Sequence, residues 1–206
     1  MAATLATVED IVNAALSRIG HAVRIADIYE GSPASLAALD IYGQTRDELL
    51  RKQDWGFSER NVAMTALKIA PAGGYGPWAP WNQATNPPPP WLFEYPYPDD
   101  CLKVRAIKGI PGFGPNFQPY PNSFSIINDG AIKAIVTNAD SAILVYTGQV
   151  TDPNLWEPGF TEALISSLSR RLAPALAKID QGKAEDEKIE GADEQTETIV
   201  AEMLQG

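Results

Sequence analysis

Cysteine and histidine are nearly absent from this sequence, which has one residue of each among 206. One cysteine cannot form an internal disulfide, and one cysteine with one histidine is too small a set for a typical zinc site. No apolar run approaches the roughly 18–20 residues that cross a bilayer. The opening MAATLATVED also lacks the basic and apolar regions of a secretory signal. We therefore expect a soluble protein made in a cytoplasm, with no bound metal or cofactor and no membrane contact.

Basic residues are also scarce, with 16 Lys and Arg against 26 Asp and Glu, for a net charge of −10. The segment from Asp180 onward holds nine of the acidic residues and only two lysines, so it carries most of the excess. Proteins bind nucleic acid through clustered Lys and Arg, and we predict no such binding here. An acidic surface would instead repel DNA that passes close by.

The pattern of the first seventy residues predicts helices. TVEDIVNAALSRIG begins with Thr7 as N-cap and Asp10 three positions later, close to a capping box, and Gly20 is a stop signal. A second helix is expected to open at Ser32 and Pro33, because proline fits the first helical turn. Its predicted buried residues are Leu36, Leu39, Tyr42 (or Ile41), Leu49 and Leu50.

Four further helical features follow from the pattern. Gly43 is unfavourable inside a helix, which suggests a close helix crossing there. SERNVAMTAL, residues 58–67, predicts a short helix, and residues 161–179 predict a longer one that Pro174 should kink. The acidic residues 183–205 are compatible with helix but have few apolar anchors, so we expect them to order only when packed against something.

Proline and glycine dominate residues 70–90, APAGGYGPWAPWNQATNPPPP, too densely for helix or sheet. Such a long excursion usually has a function or orders against a partner. Its four final prolines could act as a stiff spacer into the next strand or as a ligand for a proline-binding groove, and we favour the spacer.

Strand patterns follow the proline run. WLFEY and LKVRAI predict two strands joined by a proline–aspartate turn, and residues 123–150 predict three more. Asn128-Asp129-Gly130 is a strong hairpin signal, and residues 138–140 suggest a second turn. The expected fold is α+β: residues 1–70 and 150–206 form a helical bundle, and residues 71–149 form a proline-rich loop and an inserted antiparallel β-meander.

Candidate catalytic residues are few. His21 and Cys101 are the only conventional base and nucleophile, and Asp99-Asp100 beside the cysteine should raise the pKa of the thiol, which disfavours catalysis by this pair. Adjacent aspartates in a turn more often cap it than act as acid and base. GIPGFG lacks the lysine of a phosphate-binding loop. We predict no catalytic, metal-binding or cofactor-binding residues.

Four segments occur in a suggestive order: VNAALSRIG, then ASLAALDIYGQTRDELLRKQDWGFSERNVAMTAL, then FEYPYPDDCLKVRAI, then ILVYTGQVTDPNLWEPGFTEALISSLSRRLAPALA. Together the chain resembles the head-to-tail adaptor proteins of short-tailed bacteriophages, the family called tail tubular protein A. The features that carry the resemblance are a leucine–arginine helix running into Trp55 and Phe57, a Tyr-Pro-Asp-Cys-Leu strand and an Asp-Pro turn before an Ala/Leu helix. The proline-rich insert at 71–90 is longer than expected of this family.

The resemblance implies a structural protein of the virion tail, assembled in the host cytoplasm, and not an enzyme. Its implied form is a ring of about twelve copies below the portal protein ring, with the tail nozzle (tail tubular protein B-like) beneath it. Double-stranded DNA would pass through the channel during genome ejection without specific binding.

A ring subunit needs interface residues, and three groups are candidates. Exposed aromatics and apolar residues of the C-terminal segment suit interface cores, and the basic pair of the last predicted helix suits solvated or intersubunit salt bridges. The full set is Trp78, Trp81, Trp91, Tyr95, Tyr97, Arg170, Arg171, Ile189, Ile199, Met203 and Leu204.

For Trp55 and Phe57 we expect a place in the subunit's own core.

Two alternative functions stay open. One is a carboxylate-based cell-wall hydrolase that uses Glu94 with Asp99 or Asp100. The other is a module that binds partners through its proline arm.

Overall fold

The computed structural model of this chain describes residues 7–22, 24–111, 124–130 and 132–178. These residues form a mixed α and β fold, as predicted at that level, and it has three α-helices and two antiparallel sheets. They divide into two compact units, one holding the described residues up to Leu49 and from Asp152 onward, the other Leu50–Thr151. The second unit therefore begins earlier than the predicted boundary at residue 70.

Helix α1, Val8–Arg18, begins with the predicted capping box. The Thr7 hydroxyl accepts a hydrogen bond from the backbone N–H of Asp10, and the Asp10 carboxylate accepts one from the N–H of Thr7, both at 3.1 Å. These contacts satisfy N–H groups that a helix start leaves unpaired. The helix ends before Gly20, whose φ of +77° suits a residue without a side chain.

Helix α2, Pro33–Lys52, starts where the sequence predicts, with the Ser32 hydroxyl accepting from the N–H of Ser35. Its buried face was predicted wrongly in part, because Leu36 and Leu39 are exposed. Mostly small residues are buried instead, so the buried face of α2 carries few large apolar side chains. The buried residues are Ala34, Ser35, Ala38, Tyr42, Thr45 and Leu50.

Gly43 does not mark the close helix crossing that we expected. A Cβ placed on it would meet nothing within 4 Å in the described part of the chain.

The third helix, α3, covers residues 158–178 and buries one side chain per turn. Those side chains are Phe160, Leu164, Leu168, Leu172 and Leu176. The helix continues without a break through Pro174, where we expected a kink. Polar contacts join the helices of this unit: Arg18 of α1 donates to Ser166 and pairs with Glu162, and Arg171 contacts α2.

Seven strands lie among the described residues of the second unit. They are β1 Glu59–Ala63, β2 Lys68–Ile69, β3 Phe93–Pro96, β4 Cys101–Pro111, β5 Phe124–Asp129, β6 Ile132–Thr137 and β7 Ala139–Gly148. A three-stranded sheet has the order β1-β7-β4, and a four-stranded sheet has the order β2-β3-β6-β5. Short 3₁₀ turns lie at Gly56–Ser58, before β1, and at Pro153–Leu155, before α3.

This topology corrects two predictions. SERNVAMTAL is not a helix, because its first part belongs to the 3₁₀ turn and to β1, which pairs antiparallel with β7. The strands are also not a simple meander, since β3 pairs with β6 and β4 with β7. The predicted hairpin at Asp129-Gly130 is confirmed between β5 and β6, with Gly130 at φ +63°. Around Asn138 the chain instead crosses from one sheet to the other.

The two sheets of this unit share one apolar core. Tyr95 and Ile135 from the four-stranded sheet pack in the same cluster as Ile107 and Leu144 from the three-stranded sheet. Because neighbouring residues of a strand face opposite ways, Glu94 points to the other face of the four-stranded sheet, opposite Val136. That other face is the one that the proline-rich segment adjoins.

Residues 70–91 fold against the four-stranded sheet, and we call them the proline cover. The Gln83 carbonyl accepts a hydrogen bond from the Lys68 ammonium at 2.8 Å, and the Asn86 amide donates to the Ile69 carbonyl at 3.0 Å. The Tyr75 hydroxyl donates to the Pro87 carbonyl. The four prolines do not form the extended spacer that we predicted, because the N–H of Trp91 bonds back to the Pro88 carbonyl and closes a turn.

Candidate functional site

The proline cover encloses a carboxylate, Glu94, whose side chain is 0% exposed. Its nearest ion-pair partner is the Lys68 ammonium at 3.7 Å. Lys68 also pairs with the Asp129 carboxylate, which the Gln83 amide contacts at 3.3 Å. Glu94 and Asp129 thus share the Lys68 ammonium. The buried carboxylate, Glu94, has no hydrogen bond in the described part of the chain.

The two carboxylates differ in their pKa. Burial raises the pKa of Glu94 above its ordinary value, the negative charge of Asp129 adds to the rise, and Lys68 opposes it. Hydrogen bonds from Lys68 and Gln83 lower the pKa of Asp129. Such a split between two neighbouring acids is known from catalytic sites. Here, however, the cover keeps Glu94 from solvent, so a substrate could reach it only by displacing the cover.

The other carboxylates that a hydrolase would need lie in different surroundings. Asp100 accepts a hydrogen bond from the Tyr146 hydroxyl at 2.9 Å, and its backbone carbonyl accepts from the N–H of Gln149. Asp99 lines a separate cavity that Glu94 does not line. This groove therefore does not bring Glu94 and Asp99 together to act on one substrate.

The separate cavity is an open groove of about 610 Å³, within the size range of ligand pockets. We call it the Tyr97 groove, and six of its lining residues matter below: Leu67, Pro96, Tyr97, Asp99, Ile132 and Lys133. The Lys133 ammonium lies 3.6 Å from the centre of the Tyr97 ring, a cation–π contact. Leu67 and Ile132 are about half exposed, at 49% and 48%. The groove thus combines apolar walls with one cation and one carboxylate.

Cys101 also lines the Tyr97 groove, but it lacks the properties of a nucleophile. Burial raises the pKa of its thiol, and the charge of Asp100 contributes to the rise, although Tyr97 and Lys133 oppose it. The predicted direction is confirmed, with burial as its main cause. His21, the base whose pairing with this cysteine the sequence disfavours, belongs to the first unit. The sulfur therefore remains a protonated thiol at neutral pH.

The predicted aromatic interface residues have different environments. Trp78 is 97% exposed, and Trp81 is 47% exposed with its indole N–H donating to the Asn86 carbonyl. Trp91 and Tyr97 are partly buried. Tyr95 must be removed from the set, because it is 1% exposed in the core and its hydroxyl donates to the Ala139 carbonyl at 2.9 Å.

The two arginines also differ. Arg170 is exposed and donates to the Ser166 carbonyl and to the Ser167 hydroxyl, both on its own helix. Arg171 instead donates to Thr45 at 3.1 Å and pairs with Glu48, so it is engaged within the first unit. The remaining candidates, Ile189, Ile199, Met203 and Leu204, lie outside the described residues.

Trp55 and Phe57, which we expected in the core, are partly buried, with ring centres 6.2 Å apart. The residues that sequence reasoning missed are Leu67, Ile132 and Lys133. Each follows or precedes a turn, and only the pairing of β2, β3 and β6 brings them near Tyr97. No local pattern in the sequence signals this groove.

Within the described ranges, no group of three or more His, Cys, Asp or Glu side chains could hold a metal ion. None of the helices in this part of the chain is long and apolar enough for a membrane span. No protein-family model matches this sequence, and no curated protein sequence matches it.

Proposed function

We propose that this protein is the head-to-tail adaptor subunit of a short-tailed bacteriophage. The observation that carries the proposal is the order of the four motif segments, which correspond to successive structural elements. VNAALSRIG lies in and just after α1, and the second segment spans α2, the following 3₁₀ turn and β1. FEYPYPDDCLKVRAI forms β3, a turn and most of β4, and the last segment forms β7, an Asp-Pro turn and α3.

In this proposal the N- and C-terminal helices form one bundle that carries the β insertion. Support comes from the ion pairs of Arg18 with Glu162 and of Arg171 with Glu48, which link helices distant in sequence. The one-per-turn row of buried residues on α3 also suits a helix packed in a bundle.

The ring proposed here has about twelve copies, and it receives the portal on one side and the tail nozzle on the other. Trp78, with 97% exposure, and the half-exposed Leu67 and Ile132 supply the kind of surface that protein interfaces bury. The net charge of −10 suits a channel wall that must not bind DNA. In the virion the ring would line the path of the genome.

The hydrolase alternative has less support, because Glu94 lies under the proline cover and does not line the groove that Asp99 lines. The proline-arm alternative is weakened as well. A groove that reads proline needs an extended polyproline helix, whereas residues 87–90 close a turn and Pro87 is buried.

Electron microscopy of the purified protein mixed with the portal ring of the same phage tests the adaptor role. We expect a second ring stacked on one end of the portal, coaxial with it. Portal rings that stay bare at every protein concentration and salt concentration would contradict the role. An unrelated acidic protein of similar mass serves as the control.

A further inference from the structure

The backbone of Trp78 lies in a closed turn, and its side chain is almost fully exposed. It lies in a tight turn closed by two reciprocal backbone hydrogen bonds, from the N–H of Ala79 to the Gly76 carbonyl at 3.1 Å and from the N–H of Gly76 to the Ala79 carbonyl at 3.3 Å. Pro77 stiffens the same turn, since its ring fixes φ. Because the turn fixes the backbone that carries this 97% exposed indole, a partner that binds it has less backbone freedom to restrict.

The Tyr97 groove has the chemistry that an indole ring needs. Leu67, Pro96 and Ile132 offer apolar walls, and two of these side chains are about half exposed. Lys133 supplies a cation, for which tryptophan is the best aromatic partner. A buried tryptophan also needs an acceptor for its N–H, and the exposed Asp99 carboxylate at the groove can accept it.

We propose that Trp78 of one copy of this chain inserts into the Tyr97 groove of the next copy. Trp78 is too exposed to occupy the groove of its own chain. The turn and the groove are different surfaces of one unit, so each copy offers one of each. Contacts of this kind are heterologous, and they close into a ring when the rotation between copies permits. The contact rests on the ring proposed above and gives that ring its self-association site.

The size of the contact determines the expected effect. One tryptophan buries about 150–250 Å², much less than the roughly 1,200–2,000 Å² of a stable interface. Trp78 would therefore be the anchor of a wider interface, and such anchors dominate its affinity. Removing it should weaken self-association by at least about 30-fold.

Two variants test the contact from its two sides. Trp78→Ala removes the indole and keeps the groove, whereas Ile132→Glu blocks the groove and keeps the indole. Both positions are about half or more exposed, so neither substitution disturbs the core. Sedimentation velocity of the full chain then gives the association state of the wild type, of each variant and of an equal mixture of both variants.

We expect the wild type to associate, each variant alone to stay monomeric, and the mixture to form dimers that grow no further. Tyr29→Ala, an aromatic residue that is 75% exposed and belongs neither to the turn nor to the groove, is the control and should change association by less than about threefold. A Trp78→Ala chain that assembles like the wild type, or a mixture that stays monomeric, overturns the contact.

The failure of the contact is distinguishable from the failure of the adaptor role. If Trp78→Ala still forms a ring on the portal, the Trp78 contact is wrong and the adaptor role stands. If the wild type neither associates nor binds the portal, both are wrong.

Discussion

Burial of the Glu94 carboxylate costs free energy in the second unit. A carboxylate that is 0% exposed and has its nearest ammonium at 3.7 Å loses its hydration without full compensation. Lys68 only partly neutralises the Glu94 charge, because the same ammonium pairs with Asp129 and donates a hydrogen bond to the Gln83 carbonyl of the proline cover. The ionised form of Glu94 is therefore disfavoured in the folded chain.

Glu94→Gln should remove a pH dependence of stability. The unfolded chain ionises this residue near its ordinary pKa of 4.5, whereas the folded chain does so only at higher pH. Stability is then greatest below that value and falls as pH rises toward the folded pKa. The lowered pKa of Asp129 acts in the opposite direction and at lower pH, where stability falls as pH falls.

Urea unfolding between pH 4.5 and pH 8 measures this effect. We expect the glutamine variant to gain stability over the wild type as pH increases, up to a plateau. Glu157→Gln, at an exposed position, should run parallel to the wild type. Parallel curves for Glu94→Gln as well would show that this carboxylate is not buried in the folded protein.

Arg105 on β4 joins several parts of the second unit. Its guanidinium donates to the Trp55 carbonyl at 2.8 Å, to the Thr147 hydroxyl at 2.9 Å and to the Ser58 hydroxyl at 3.1 Å. Arg105→Ala should lower the free energy of unfolding by about 2–3 kcal/mol, since charged donors are lost and buried acceptors are left unpaired.

Urea titration of the second unit's fluorescence would measure that loss. Lys108→Ala, at an exposed position of the same strand, should change the free energy by less than about 0.5 kcal/mol. Equal values for the two variants would contradict the role of Arg105.

Among the elements, α2 and α3 carry the contacts that support a helical bundle. Arg170 and Arg171 are adjacent on α3, but only Arg171 reaches across to Thr45 and Glu48 of α2. The pair therefore provides a test in which the variant and its control differ by one position.

Arg171→Ala should destabilise the protein by about 1 kcal/mol or less, because the ion pair is partly exposed and water screens it. Arg170→Ala should have no measurable effect. Thermal unfolding followed by circular dichroism at 222 nm compares the two. A larger loss for Arg170→Ala would contradict the packing of α3 against α2.

Elements fixed by local contacts were predictable from sequence. The Thr7–Asp10 capping box and the Asp129-Gly130 turn each depend on residues within three positions of one another. Strand β1 was not predictable, because its partner β7 is far away in sequence and SERNVAMTAL has no strong preference of its own. The buried face of α2 was missed because its neighbours approach small residues, whereas sequence reasoning favours large apolar ones.

At the scale of the whole molecule, candidate site residues were harder to predict than the fold class. Residue type placed Trp78, Tyr95 and Tyr97 in one set of interface candidates, yet Trp78 is exposed, Tyr95 is in the core and Tyr97 lines a groove. The two tyrosines are two positions apart, and only the third dimension distinguishes them. The groove itself arises from strand pairing, for which the sequence has no local signal.

The mass of the portal ring, measured with and without this protein, tests most directly whether the chain forms a ring on a portal. Mass photometry of the portal ring, before and after mixing with the protein, counts the chains of 22.3 kDa that bind. We predict a gain of about twelve chain masses that saturates and leaves no intermediate species at excess protein. A portal mass that is unchanged at low and high salt would contradict the adaptor role.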